Sequence, residues 1–205
     1  MNTPAQEANE FGSFSNVHLI ENFVNGNDLA IWQHYANNEQ YSRGSFASHG
    51  ESSGLHGFND YVGRIEEKAS YIFGVPLERY DEDGLLNKWS AGDFLSRHVD
   101  APNDFEKFIG KNMVYPPSVI LYSSIIYIND DYEGGSIHFY GHDKYIRPTA
   151  GSLLLFPSTK MYPHEVTEIT SGTRYTLSLF LSNPGIVDIF ERLFKMVEEQ
   201  QNIPS

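Results

Sequence analysis

The chain has 205 residues, with 13 Tyr, 14 Phe and 2 Trp in a 40% hydrophobic composition, which suits one compact domain and excludes disorder over most of its length. It contains no Cys, so a disulfide scaffold, a thiolate zinc site and a cysteine nucleophile are all excluded, and any metal must sit on nitrogen and oxygen. With 14 basic against 27 acidic residues, a net charge of −13, the average surface repels a duplex phosphate backbone and nucleic acid is a poor partner.

The N-terminus, MNTPAQEANEFGSF, is polar and acidic and does not read as a signal peptide. No stretch approaches the ~20 apolar residues needed to cross a bilayer, so a cytoplasmic protein without a membrane partner is expected. A first helix is expected over 27–37, with Asn27 or Asp28 as its N-cap and Leu29, Ile31, Trp32 and Tyr35 at helical spacing. A second fits Asn59 to Phe73, where Tyr61, Ile65, Ala69 and Ile72 share a stripe that Gly74 and Pro76 close.

From Leu85 to Asn183 the pattern changes to short β-rich runs separated by turn residues, the signature of an all-β sandwich or barrel. Expected strands are 85–90, 94–100, 118–128, 135–140, 151–156, 163–169 and 173–182. The chain closes with a helix from Ile186 to Glu199, striped by Ile186, Ile189, Phe190, Leu193, Phe194 and Val197, and expected on the outside of the sheet. The whole is expected to form a single domain over 1–205, with helical support over 1–84, a β core over 85–183 and a C-terminal helix over 184–205. Two segments, Ser42 to Phe58 and Ala101 to Pro117, are expected as loops beside the opening that choose the substrate.

Alternation along 173–182 places Tyr175, Leu177, Leu179 and Leu181 on an apolar face and Arg174, Thr176, Ser178 and Phe180 on the other. In 118–128, Ser123 and Tyr127 share a face. A polar group on an otherwise buried face lines a cavity or finds a backbone partner within the core.

His98-Val99-Asp100 ends a strand-like run, and residues two apart in an extended segment project to one side, so both side chains can reach one ion. An isolated H-x-D is a weak signal. His164 opens a later β-like run, and Arg174 follows ten residues on. Two imidazoles and one carboxylate with open positions suit non-haem iron(II), while a planar guanidinium suits a bidentate grip on a carboxylate. The alternative for Arg174 is a buried salt bridge to a protein carboxylate.

The pieces RHVDAPN, SSIIYINDDYEGGSIHFY, PTAGSLLLFPS and PHEVTEITSGTRYTLSLFL, in this order and spacing, resemble the catalytic core of the prolyl 4-hydroxylase-like family of 2-oxoglutarate and Fe(II)-dependent dioxygenases. The resemblance covers about half of the chain. It implies a mainly β fold with flanking helices around a double-stranded β-helix, a cupin-like jelly roll whose mouth holds the metal. Position by position it implies His98, Asp100 and His164 as iron ligands and Arg174 as the partner of the distal carboxylate of 2-oxoglutarate. Tyr127 falls where relatives place a tyrosine that shares that carboxylate; Thr176 is a further hydroxyl contact and Ser123 a weaker one. Trp89 departs from the pattern, since relatives often carry a tyrosine nine residues before the first histidine.

The cofactors implied are Fe(II), 2-oxoglutarate and dioxygen, with ascorbate as a candidate reductant. The expected reaction hydroxylates a prolyl or similar residue in a peptide or protein, releasing succinate and CO2. Alternatives are the same chemistry on a small molecule, free amino acid or modified nucleobase, and a non-catalytic jelly-roll binding module. His138 and His142 are expected at the rim or surface, and His18, His34, His49 and His56 have no partner spacing. Asp130, Asp131 and Glu133 are expected in a solvated turn before Gly134 and Gly135.

Overall fold

The computed structural model describes residues 12–80, 84–101, 120–189 and 192. Helices α1 (Gly26–Asn38) and α2 (Phe58–Phe73) precede most of the sheet. The early strands are β1 (His18–Ile20), β2 (Ser42–Arg43), β3 (Ser48–Gly50), β4 (Glu78–Arg79), β5 (Leu85–Ser90) and β6 (Leu95–His98). The later ones are β7 (Tyr122–Tyr127), β8 (Glu133–Gly134), β9 (Ile137–Phe139), β10 (Lys144–Ile146), β11 (Leu153–Pro157), β12 (His164–Val166), β13 (Ile169–Ser171) and β14 (Thr173–Ser182).

The strands pair antiparallel into a major sheet, β1-β11-β7-β14-β5-β3-β2 with β4 also on β14, a minor sheet, β10-β9-β12-β6, and the short pair β13-β8. This is a double-stranded β-helix with helices on one side. Period-two alternation sorts the major sheet's residues between its faces. Leu153 and Leu155 of β11 join Tyr175, Leu177, Leu179 and Leu181 of β14 in a core with Trp32, Ala36, Ile65 and Ala69 of the helices. Leu154 and Phe156 point the other way, to Tyr127, Ile137 and Phe139 between the sheets. All five β11 residues are buried, which is why that run is continuously apolar.

Helix α1 starts earlier than the sequence pattern suggests: Asn25 is the cap, its side-chain oxygen accepting from the N–H groups of Asn27 and Asp28. Asp28 instead accepts from Tyr61 Oη at 2.7 Å, tying the first turn of α1 to α2. Ile31, counted in the apolar stripe, is exposed, and Ala36 takes its place in the core. Helix α2 runs as expected, closed by Gly74 at φ 69°.

Segment 42–58 is not simply a loop. Within it β2 and β3 form a hairpin, and β3 extends the major sheet along β5, with His49 opposite Asn87. Run 163–169 divides into β12 and the start of β13, which serve different sheets. At that division Gly134 and Gly135 hold φ of 74° and 63°. A side chain on Gly134 would meet the Glu168 carbonyl, and one on Gly135 would meet Ile169 and the Arg174 stem, so the close approach of β8 to β13 demands glycine at both.

Residues 102–119, which include nearly all of the 101–117 segment, lie outside the described residues, as do 190, 191 and 193–205 of the expected C-terminal helix; residues 184–189 are helical. Among the described residues no helix is long and apolar enough to cross a membrane.

Candidate metal and cosubstrate site

His98 ends β6 and His164 begins β12, and the antiparallel register places them directly opposite each other. Side chains of such a pair stand about 5 Å apart at Cβ; here the two rings lie 4.3 Å apart between centroids. Asp100, two residues beyond His98, returns to the same side. His98 Nε2 lies 3.4 Å from Asp100 Oδ1, and His164 Nε2 lies 3.7 Å from Oδ2. The ligand atoms of all three fall within 4.8 Å of one another. Donors bound about 2.1 Å from one ion at right angles would sit roughly 3 Å apart, so small adjustments bring this set onto a metal.

Each imidazole is oriented by its own strand. The Nδ1 of His98 meets the Ser96 carbonyl at 2.9 Å, and the Nδ1 of His164 meets the Tyr162 carbonyl at 3.0 Å. A carbonyl only accepts, so Nδ1 carries the proton, and in the neutral ring the Nε2 lone pair is left free for a metal beside Asp100. Ser123, on β7, donates to Asp100 Oδ2 at 2.6 Å and shares a 2.6 Å hydrogen bond with Ser158. Such support orients a ligating carboxylate.

Burial pushes the His164 imidazole below its ordinary pKa, against the pull of Asp100, which favours the neutral form a metal needs. Burial acts the same way on His98, but there the hydrogen bonds to Asp100 and the Ser96 carbonyl outweigh it and raise the pKa. Burial would raise Asp100, yet the His98 hydrogen bond, the His164 charge and the Ser123 hydroxyl together hold it below the ordinary carboxylate range.

The cavity running inward from this cluster is lined by the inner faces of β5, β7 and β14, reaching Trp89, Thr176 and Arg174. Arg174 is 1% exposed, and its Nε, Nη1 and Nη2 have no hydrogen-bond partner among the described residues. The salt-bridge alternative for it therefore has no counterpart there. The guanidinium lies over the rings of Tyr127 and Trp89, at 4.9 Å and 5.1 Å from their centroids. The Tyr127 hydroxyl is likewise buried without a partner, and burial raises its pKa while Arg174 opposes the rise. A buried planar cation with every donor open, beside an open phenol, is fitted to a carboxylate.

Of the remaining residues singled out from sequence, Thr176 faces the cavity and accepts a hydrogen bond from Trp89 Nε1 at 3.2 Å. Ser123 also faces it, but its hydroxyl proton goes to Asp100 at the metal end. His138 is not simply on the surface: its Nδ1 meets Glu165 at 3.0 Å and its ring stacks on Tyr145. His49, which has no partner spacing in sequence, bonds Asn87 at 2.8 Å. Asp130 and Asp131 accept from the Ala150 N–H and the Asn129 side chain, so the turn is tied down rather than merely solvated. Sequence reasoning passed over Asn87 and Phe46 as cavity walls. Leu85, Asn87 and Trp89 at every second position carried the signal for Asn87, whereas Phe46 enters only through the β2–β3 hairpin.

A cluster of two histidines and an aspartate in the mouth of a double-stranded β-helix, with a buried arginine farther in, defines a class, and comparison with known proteins agrees. The model of the 2OG-Fe(II) oxygenase superfamily matches residues 84–182. That stretch, a little under half of the chain, resembles the superfamily, whose members work with Fe(II), 2-oxoglutarate and dioxygen. A PKHD-type hydroxylase of Shewanella oneidensis is 32% identical over 112 residues, 53% of this chain and 46% of that protein. The chain thus spans about half the length of that curated relative. Two solved structures share the fold. An oxidoreductase of the 2OG-Fe(II) oxygenase family from Burkholderia pseudomallei superposes with a TM-score of 0.63 at 14% identity, over 88% of this chain and 90% of that one. A Pseudomonas putida prolyl-4-hydroxylase gives 0.57 at 14% identity, over 86% and 98%. The chain is thus similar in its core sequence to 2OG-Fe(II) oxygenases and in its fold to a prolyl-4-hydroxylase.

Proposed function

We propose that this protein hydroxylates a prolyl or similar residue of a peptide or protein, with His98, Asp100 and His164 holding Fe(II) and Arg174 anchoring 2-oxoglutarate. The observation that carries the reading is the buried, unpartnered Arg174 guanidinium in the same cavity as the two-histidine, one-carboxylate cluster. A metal-binding cluster by itself says nothing of a cosubstrate, and a buried cation by itself says nothing of a metal. Sharing one cavity, they fit a dicarboxylate that bridges the two. Bound iron and 2-oxoglutarate supply the oxidising chemistry: one dioxygen atom enters the substrate C–H bond and the other enters succinate as CO2 leaves.

The chain's own residues do the positioning. The carbonyls of Ser96 and Tyr162 hold the two Nδ1 protons, leaving both Nε2 lone pairs available. Ser123 steadies the Asp100 carboxylate. Arg174 neutralises the distal carboxylate, and the open Tyr127 hydroxyl donates to it. The peptide reading is favoured by the prolyl hydroxylase resemblance and by the likeness to the Pseudomonas putida prolyl-4-hydroxylase.

The test is succinate release and peptide mass after anaerobic loading with Fe(II) and 2-oxoglutarate, followed by air and a panel of proline-containing peptides. A gain of about 16 mass units, one oxygen atom, on a peptide that also stimulates succinate release is expected. Turnover confined to free amino acids or metabolites would overturn the peptide assignment. Unaltered iron binding in His98→Ala would overturn the metal assignment.

A further inference from the structure

We propose that Trp89 is a positioning residue for the dicarboxylate cosubstrate: it seats the Arg174 guanidinium on its ring and fixes the Thr176 hydroxyl as a donor toward the ligand. The inference rests on the reading of Arg174 as the cosubstrate anchor and adds a residue that does not itself touch the ligand.

The register of β5 against β14 sets Trp89 directly opposite Arg174. The guanidinium carbon lies 5.1 Å from the indole centroid, within the range in which a cation is held by the ring quadrupole. The indole is itself pinned, 4% exposed and packed at a 35° tilt against Phe46 with centroids 5.2 Å apart. Its N–H is taken up by Thr176 Oγ1 at 3.2 Å, so it is not available to a ligand.

This bond has a direction that a tyrosine would not impose. An indole N–H only donates, whereas a phenol both donates and accepts. Opposite a phenol, the threonine hydroxyl could point its proton at the ring oxygen. Opposite Trp89 it must accept, so its single proton is left for another group. Among the described residues the only side-chain hydrogen bond of this hydroxyl is the one it accepts from Trp89. Thr176 sits two positions from Arg174 on the same strand face and lines the same cavity. A carboxylate, which only accepts, is the matching ligand. The tryptophan found where relatives often have tyrosine thus converts an ambiguous hydroxyl into a committed donor.

The experiment is a double-mutant cycle on 2-oxoglutarate affinity, measured by calorimetry on anaerobic Fe(II)-loaded protein and, separately, as KM against kcat. Trp89→Phe keeps a ring and removes the N–H; Thr176→Val removes the hydroxyl. Each is expected to weaken 2-oxoglutarate about tenfold, on the order of one lost hydrogen bond. The double variant should be no weaker than Thr176→Val, and the loss should fall in KM for 2-oxoglutarate. Trp89→Leu, which also removes the platform, should lose several-fold more than Trp89→Phe, with thermal melts confirming that each variant is folded.

Unchanged affinity in Trp89→Phe, or losses in the two single variants that simply multiply, would overturn the donor role. Equal affinities in Trp89→Phe and Trp89→Leu would overturn the platform. If Arg174→Met abolishes 2-oxoglutarate binding while Trp89→Phe and Trp89→Leu do not weaken it, this inference alone fails. If Arg174→Met leaves binding intact, the anchor reading itself fails.

Discussion

Replacing Arg174 by methionine should make the ligand-free protein more stable while removing its response to 2-oxoglutarate. The guanidinium is 1% exposed and none of its three nitrogens has a hydrogen-bond partner among the described residues. Burying an ion without a partner costs several kcal/mol even after relaxation. The two cation–π contacts, to Tyr127 and Trp89, return roughly 1–2 kcal/mol each. Methionine fills similar volume and adapts to the same aromatic walls, so removing the charge should gain on the order of 1–2 kcal/mol net. For a chain of this size that corresponds to a rise in Tm of about 2–8 °C.

In the wild type, 2-oxoglutarate at 100 times its Kd should raise stability by about 2.7 kcal/mol, and in Arg174→Met by nothing measurable. Differential scanning fluorimetry of Fe(II)-loaded protein under nitrogen, with and without 2-oxoglutarate, reads both effects in one plate. A ligand-free Arg174→Met that melts well below the wild type would show that the guanidinium is a structural element. A preserved 2-oxoglutarate shift would show that the anion binds elsewhere. Either result refutes the reasoning.

Removing the Ser123 hydroxyl takes away the donor that steadies Asp100, and Ser123→Ala should weaken Fe(II) about 10- to 100-fold, read by anaerobic metal titration. Asp100→Ala and His164→Ala should abolish stoichiometric Fe(II) binding in the same titration, with circular dichroism unchanged. Gly135→Ala meets Ile169 and the Arg174 stem from a left-handed backbone, and should cost about 1–3 kcal/mol in urea unfolding as well as weakening 2-oxoglutarate. Asp28 is held below the ordinary carboxylate range chiefly by the Tyr61 hydroxyl, with Asn25 also contributing. A depressed folded pKa means that its contribution is present above the unfolded value and is lost as pH falls through the folded one. Asp28→Asn should therefore lower stability at pH 7 and flatten the decline below about pH 4, seen by comparing urea midpoints across that range.

Periodicity determined the elements whose pattern is long. The Tyr61, Ile65 and Ala69 stripe located α2, and the alternation from Arg174 to Leu181 sorted β14 into a core face and a cavity face, because side-chain direction along a helix or strand follows from backbone geometry alone. The candidate set of His98, Asp100, His164 and Arg174 came from residue chemistry and motif order, and the fold brings the first three within 4.8 Å of one another. The two- and three-residue strands β2, β3 and β4 were not, since Ser-Arg, Ser-His-Gly and Glu-Arg carry no period to detect. Nor was the pairing of His164 with His98, because alternation says which face a residue takes but not which strand lies beside it.

The same gap separates a residue's type from its task. Ser123 and Thr176 are both small hydroxyls on inward faces, equivalent as letters; one is bonded to Asp100 at the metal end and the other to Trp89 at the arginine end. A hydroxyl's role depends on the single donor or acceptor within about 3 Å, and that neighbour comes from elsewhere in the chain. Sequence therefore determined the chemistry this protein can carry and the faces that carry it. The tertiary fold decided which groups meet, because hydrogen bonds and metal coordination are short-range, and strand register alone brings their partners within reach.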